Sequence, residues 1–197
     1  GKIVEKIIPA NPAEAAPFPD LLRREPTEEF IRLTHEAHAR HVGRHFGKTI
    51  RFTFTDEPCF TPSNHGRIGW SANFAAEFQQ RKGYDITAWL DKLVTPPQQV
   101  ENEELVKARI DYHEVCTRLF VDNYLLPIRD WCRQNNLLSG GHFSGEDEPL
   151  RSRLSGYGSI MKTLRALDLP GVDVIWRQLY PGLREHSFPK YASSVAN

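Results

Sequence analysis

The chain has 197 residues, of which 40% are hydrophobic and 25% are charged, a composition that predicts one folded domain with an apolar core. The 25 basic and 25 acidic residues cancel, and no cluster of Lys and Arg stands out, so a nucleic-acid partner is not expected. No apolar run approaches the roughly 20 residues that cross a bilayer, so a membrane span is not expected either. The first residues lack the layout of a signal peptide and assign no compartment.

The first part of the chain predicts a strand and then a helix. Residues 3–8 are a candidate strand, and a loop rich in Pro and Ala follows them. Thr27, followed by two acidic residues, is expected to cap a helix in which apolar residues recur at helical spacing. Gly43 or Gly47 is expected to end this helix.

The most informative segment is residues 48–58, where aromatic and β-branched residues alternate and predict a strand. Pro58 stops this strand, so Asp56 and Glu57 lie where the strand opens into a loop. Enzymes with an α/β fold place their chemistry at the carboxyl ends of parallel strands. The segment therefore predicts that functional residues lie at the carboxyl edge of a sheet.

Helices dominate the middle of the chain. Residues 74–82 and 86–93 predict two short helices, and residues 103–134 predict one long helix with apolar residues in phase with a 3.6-residue turn. Pro127 is expected to kink the long helix. A short buried strand follows near residue 137 and opens into a loop of small residues that carries His142 and Glu146.

The last part predicts a helix at residues 159–167, a strand at residues 171–176 and a final helix at residues 189–195. Strands that alternate with helices argue for an α/β fold with parallel strands. A glycine-rich phosphate motif does not follow any strand, which removes the main support for nucleotide binding. Four strand signals are too few for a closed (β/α)8 barrel, which typically needs about 250 residues.

Seven short motifs resemble, in order, landmarks of one family's catalytic barrel. They are FIRLTHEAH at 30–38, FGKTI at 46–50, FTDEP at 54–58, KGYD at 82–85, DWC at 130–132, GHF at 141–143 with Glu146, and LPGVD at 169–173. The family is that of α-L-rhamnosidase-type glycoside hydrolases, those of family 106 and their uncharacterised relatives. The similarity runs from about residue 18 to the end of the chain.

This resemblance implies a (β/α)8 barrel inside a larger, usually multidomain, secreted or periplasmic bacterial enzyme. It also implies inverting hydrolysis of an α-L-rhamnoside or related polysaccharide linkage, assisted by calcium. Residues 1–197 are then a single partial TIM-barrel domain of about four βα units. A fragment of this kind is expected to be inactive when site residues on other strands are missing.

Glycoside hydrolysis needs one carboxylic acid to protonate the leaving oxygen and a second carboxylate to activate water or attack the sugar. Glu57 and Glu146 are the expected catalytic pair, because each follows a separate strand signal. The sequence does not say which of them is the acid. The plainer interpretation is that Glu57 caps the next turn and that Glu146 belongs to a solvated acidic loop.

Four further residues are candidates for substrate binding. Asp56 can set the environment of Glu57, bind a sugar hydroxyl or ligate calcium, and the sequence does not choose among these roles. His142 follows two glycines and can bond a hydroxyl or ligate a metal. Asp173 offers a carboxylate for hydroxyls or metal, and the Trp176 indole can stack on a sugar face.

Two other functions use the same residues. The first is a metal-dependent hydrolase with Asp56, Glu57, His142, Glu146 and Asp173 as ligands, since mixed oxygen and imidazole ligands suit divalent ions. The second is a carbohydrate-binding domain without turnover. An open half barrel would leave apolar strand edges exposed, so self-association or partial disorder is expected.

Overall fold

The computed structural model describes residues 19–60, 68–93, 102–146, 156–174 and 189–196. The predicted strand at residues 3–8 and the side chain of Trp176 therefore lie outside the described residues. None of the described helices is long and apolar enough to cross a membrane.

The first helix, α1, has an α-helical start at Arg24–Phe30, a π turn at Ile31–His35 and a second α-helical stretch at Glu36–Val42. The expected cap at Thr27 is wrong, because Thr27 is fully buried inside the helix. The helix begins earlier because Asp20 closes the preceding turn. Its side chain accepts a hydrogen bond from the Leu22 N–H group at 3.1 Å, and its carbonyl accepts one from the next N–H group.

The expected helices of the middle region are confirmed. Helix α2 spans Phe74–Lys82 and ends at Gly83, whose φ of 79° is the left-handed conformation that favours glycine. A 3-10 turn at Ile86–Trp89 leads directly into the short helix α3 at Leu90–Leu93.

Helix α4 is the long helix, and it consists of Glu103–Phe120, a π turn at Val121–Leu125 and Leu126–Gln134. Its start is capped by Asn102, whose side-chain oxygen accepts from two backbone N–H groups at 2.6 and 3.3 Å. A π turn lies just before Pro127, and the kink expected at Pro127 itself stays a prediction. The π turn is physically reasonable, because proline supplies no N–H group to the preceding turn.

Three parallel strands form one sheet in the order β1–β2–β3, with β1 at Phe52–Asp56, β2 at Leu138–His142 and β3 at Leu169–Pro170. Helix α5, Ile160–Leu164, lies between β2 and β3 in the chain, and α6, Pro189–Val195, follows β3. The α/β class with parallel pairing is thus confirmed for the described residues. These strands form an open sheet, and closure into a barrel stays a prediction.

The predicted position of the last strand is wrong. The structure pairs Leu169 and Pro170 with β2, two residues before the expected start at residue 171. The cause is the preceding Asp168, whose carboxylate accepts a hydrogen bond from the Ser139 N–H group at 2.9 Å and pairs with Arg133 at 2.6 Å. These contacts attach the chain to β2 before the β-branched run begins.

Helix α4 covers one face of the sheet. Side chains of β1 alternate, so the Thr53 and Thr55 side chains point toward the helix, where Thr53 Oγ1 lies 3.3 Å from Cys132 Sγ. The core beside this layer consists of fully buried aromatic residues that come from several elements. They are Phe74, Phe78, Phe120, Phe143 and Tyr157.

The other face of the sheet is apolar and exposed within the described structure. Phe52 is 51% exposed, Phe54 60%, Leu138 41% and Leu169 39%. Their register places them side by side, with Phe54 next to Gly140 and Gly140 next to Leu169. Parallel sheets are normally covered on both faces, and among the described residues no element covers this apolar face.

We expect copies of this chain to associate through that apolar face. Light scattering should show an average mass that rises with protein concentration, because two copies that pair through this face remove its apolar side chains from water. Phe54→Ser should reduce the effect, whereas Ile110→Ser, at a similarly exposed position on α4, should leave it unchanged. A strictly monomeric wild-type protein at high concentration would contradict this expectation.

His35, at the end of the π turn of α1, lies between two aromatic rings. Its ring centroid is 5.3 Å from that of Phe30 and 5.1 Å from that of Trp131, both in edge-to-face geometry. Burial lowers the pKa of the His35 imidazole, and the nearby His38 lowers it further. The folded protein therefore keeps His35 neutral at a pH where the unfolded chain already binds a proton.

This difference gives a pH dependence with a defined sign. The contribution of His35 to stability is complete above its unfolded pKa of about 6.5 and declines as pH falls toward the lower folded value. Thermal unfolding between about pH 7.5 and pH 5 should show a larger loss in the wild type than in His35→Gln. An equal loss in both proteins would show that His35 is not responsible.

Candidate functional site

The candidate site lies at the carboxyl end of the sheet. Asp56 ends β1 and His142 ends β2, and the parallel register pairs these two residues directly. Glu57 follows at once, and Asp173 lies just beyond β3. Because parallel strands end at the same edge, the fold brings together residues that are more than 100 positions apart in sequence.

Glu57 has an unusual backbone conformation. Its φ is 45°, in the left-handed region that residues other than glycine, asparagine and aspartate seldom adopt. The residue turns the chain sharply away from β1 and leaves its side chain exposed. Such conformations cost free energy and cluster at functional sites.

His142 is the centre of the cluster. It is only 6% exposed, and its Nε2–H group donates a hydrogen bond of 2.8 Å to Asp56 Oδ1. Its Nδ1 lies 3.4 Å from Glu146 Oε1 and has no hydrogen-bond partner among the described residues. The Phe54 ring, on the same face of the sheet, lies with its centroid 5.8 Å from that of the imidazole.

Glu146 is 3% exposed and uses both carboxylate oxygens. Oε1 accepts a hydrogen bond from the Phe143 N–H group at 2.7 Å, and Oε2 accepts one from the Asp173 N–H group at 3.0 Å. Burial raises the pKa of Glu146, although these two N–H groups and the charge of His142 act in the opposite direction. Glu146 thus ties the end of β2 to the loop after β3.

The structure brings five of the six predicted site residues together, and the sixth, Trp176, lies outside the described residues. The two predicted catalytic glutamates occupy opposite environments, since Glu57 is exposed and Glu146 is buried. The sequence reasoning missed Phe54 as part of the site. Its position two residues before Asp56 was the available signal, because alternate residues of a strand share one face.

Three side chains converge closely enough to share a cation. One ligand atom from each of Glu57, His142 and Asp173 lies within 4.8 Å of the others. Calcium, which the sequence resemblance implies, takes six to eight oxygen ligands. This group supplies two carboxylates and one nitrogen, so by itself it offers fewer oxygen ligands than calcium usually takes.

The fold and the site together define an α/β protein with a carboxylate-rich, histidine-centred edge on a parallel sheet. Neither a protein-family model nor a curated protein matches the sequence. Among solved structures, the chain is similar to a rhamnosidase from Novosphingobium sp. PP1Y, with a TM-score of 0.56 and 18% identity. The likeness covers 79% of this chain and 15% of that protein's chain. At this identity the comparison shows a shared fold.

The double role of Glu146 leads to a stability prediction. Glu146→Gln places an amide NH₂ group against one of two backbone N–H donors, so we expect a loss of about 1–3 kcal/mol in the free energy of unfolding. The control is Glu36→Gln on the exposed side of α1, which should change little. Chemical denaturation measures both. A Glu146→Gln protein as stable as the control would show that these hydrogen bonds contribute nothing.

Proposed function

We propose that the chain is part of a glycoside hydrolase that cleaves an α-L-rhamnoside or related polysaccharide linkage with two carboxylates. The observation that carries this proposal is the position of Glu57 and Glu146 around one imidazole at the carboxyl edge of a parallel sheet. The fold shared with a rhamnosidase supports it. A partial (β/α)8 barrel over residues 1–197, a carbohydrate as partner, and a secreted or periplasmic location belong to the same proposal.

Glu57 is the member of the pair that substrate and water reach. It is exposed, and its left-handed backbone conformation lies directly after the end of β1. We assign it to direct contact with the sugar or with the attacking water. Its neighbour Asp56 is 79% exposed at the side chain and is available to bond a sugar hydroxyl through the oxygen that His142 does not use.

Glu146 lies behind His142. Its burial favours the protonated form, which suits a group that supplies a proton to a leaving oxygen. Glu146 Oε1 lies 3.4 Å from His142 Nδ1, and Nε2–H on the far side of the ring donates to Asp56, so a proton taken up at Nδ1 would be balanced by the Nε2 proton passing to the exposed Asp56 carboxylate. In this arrangement His142 both holds Asp56 in place and separates the two glutamates.

Hydrolysis of a panel of aryl glycosides tests the proposal. The panel should include the α-L-rhamnoside, and the enzyme should be both this chain and the longest natural polypeptide that contains it. Glu57→Gln should lower kcat/KM by about 10²- to 10⁴-fold, the usual contribution of a general acid or base. Glu36→Gln on α1 is the matched control and should retain full activity. An unchanged rate in Glu57→Gln would remove Glu57 from the mechanism.

A carbohydrate-binding domain without turnover is the second candidate. The observation that favours it is that backbone N–H groups occupy both oxygens of Glu146, which leaves Glu57 as the one accessible glutamate of the pair. Titration calorimetry with oligosaccharides distinguishes the two functions. Heat of binding without any product, in both lengths of polypeptide, would support the binding domain and overturn the hydrolase.

A further inference from the structure

We propose that Glu57, His142 and Asp173 form a binding site for a divalent cation of the first transition row, such as Zn²⁺ or Mn²⁺, in preference to Ca²⁺. The site does not depend on the proposed hydrolase activity, because cation binding is measurable without turnover. It assigns a ligand chemistry to the histidine-centred edge that differs from the calcium implied by the sequence resemblance.

The first argument is convergence. The three ligand atoms come from the ends of three neighbouring strands and lie within 4.8 Å of one another. A first-row cation with ligand bonds of about 2.0–2.2 Å fits between atoms at this separation after small side-chain movements. Glu57 is exposed and Asp173 is half-buried, so both carboxylates are free to make such movements.

The second argument is the state of His142. Only 6% of the residue is exposed, yet its Nδ1 has no hydrogen-bond partner among the described residues. Buried polar atoms are normally paired, so this nitrogen calls for a ligand. Because Asp56 already accepts a hydrogen bond from Nε2, Nδ1 is the nitrogen left to bind a metal, on the side of the ring where Glu146 Oε1 lies 3.4 Å away.

The third argument is the contact that orients the ring. Metal-binding histidines usually donate their other ring N–H group to a carboxylate or carbonyl, which fixes the tautomer and raises the basicity of the ligand nitrogen. The Asp56–His142 hydrogen bond of 2.8 Å has this geometry. Asp56 is therefore a positioning residue for the cation, and it does not bind the cation itself.

The ligand types decide which cation is preferred. An imidazole nitrogen with two carboxylates suits Zn²⁺, Mn²⁺, Co²⁺ and Fe²⁺, whereas Ca²⁺ favours oxygen ligands in larger number. Three protein ligands also leave coordination positions open for water or a substrate oxygen, as in catalytic metal sites. The site is thus suited to a cation that contacts a bound molecule.

The first experiment titrates metal-free protein with ZnCl₂, MnCl₂ and CaCl₂ in separate calorimetric runs. We expect one equivalent of Zn²⁺ or Mn²⁺ to bind at least about tenfold more tightly than Ca²⁺. Addition of CoCl₂ should give visible absorption bands that report imidazole ligation. Equal or tighter binding of Ca²⁺ would overturn the proposal.

Variants locate the site. His142→Ala and Asp173→Asn should abolish or strongly weaken the one-equivalent binding, and Asp56→Asn should weaken it by about 10- to 100-fold. The control is the double variant His38→Ala and His41→Ala on α1, which removes two other histidines and should bind normally. Retained binding in Asp173→Asn and His142→Ala would overturn the proposal, as would a loss confined to the α1 control.

Circular dichroism checks that each variant is folded. If the buried His142 variant does not fold, Asp173→Asn and Glu57→Gln decide, because their side chains are accessible and their loss does not open the core. The cation site and the hydrolase fail in different ways. Zn²⁺ or Mn²⁺ binding without glycoside cleavage overturns the proposed function alone, and cleavage by protein that binds neither cation overturns the site alone.

Discussion

The parallel pairing of β1 with β2 is the constraint on which the rest of the structure depends. Its register aligns Phe52 with Leu138 at one end and Asp56 with His142 at the other. Side chains alternate between faces, so a slip by one residue would move Asp56 away from His142 and turn Phe54 toward the helices. The close approach also requires glycine at 141, where a Cβ atom would lie 2.5 Å from the Thr55 carbonyl oxygen.

This pairing also explains why the two faces of the sheet differ so strongly. Toward α4, threonine side chains meet a buried thiol and a tyrosine hydroxyl, and the helix completes the layer. On the opposite face, apolar side chains lie exposed and lead up to His142 and Asp56 at the rim. The exposed apolar face and the candidate site therefore form one continuous surface, and any layer that covers the apolar face also borders the candidate site.

The sequence was sufficient for features set by local pattern. The strand that ends at Asp56 follows from the alternation of its residues, and the long helix follows from its 3.6-residue period. Features set by contacts between distant segments could not be predicted in this way. The β3 register depends on Asp168 reaching Ser139, and the burial of Glu146 depends on N–H groups from two loops. Neither contact can be recognised from the periodicity of the sequence.

Charge is the remaining constraint on the site. Asp56, Glu57, Glu146 and Asp173 surround a single imidazole, and within the described residues no Lys or Arg forms an ion pair with any of these carboxylates. Carboxylates gathered at a partly buried edge repel one another unless a proton or a cation is held among them. A proton on Glu146 relieves part of this repulsion, in line with the pKa that burial raises.

A cation bound at His142 Nδ1, the ring nitrogen that faces Glu146, would relieve the same repulsion. Its charge would balance the Glu57 and Asp173 carboxylates directly. The placement of one histidine between carboxylates at the ends of parallel strands is therefore what makes either a proton or a cation suitable for balancing charge at this edge.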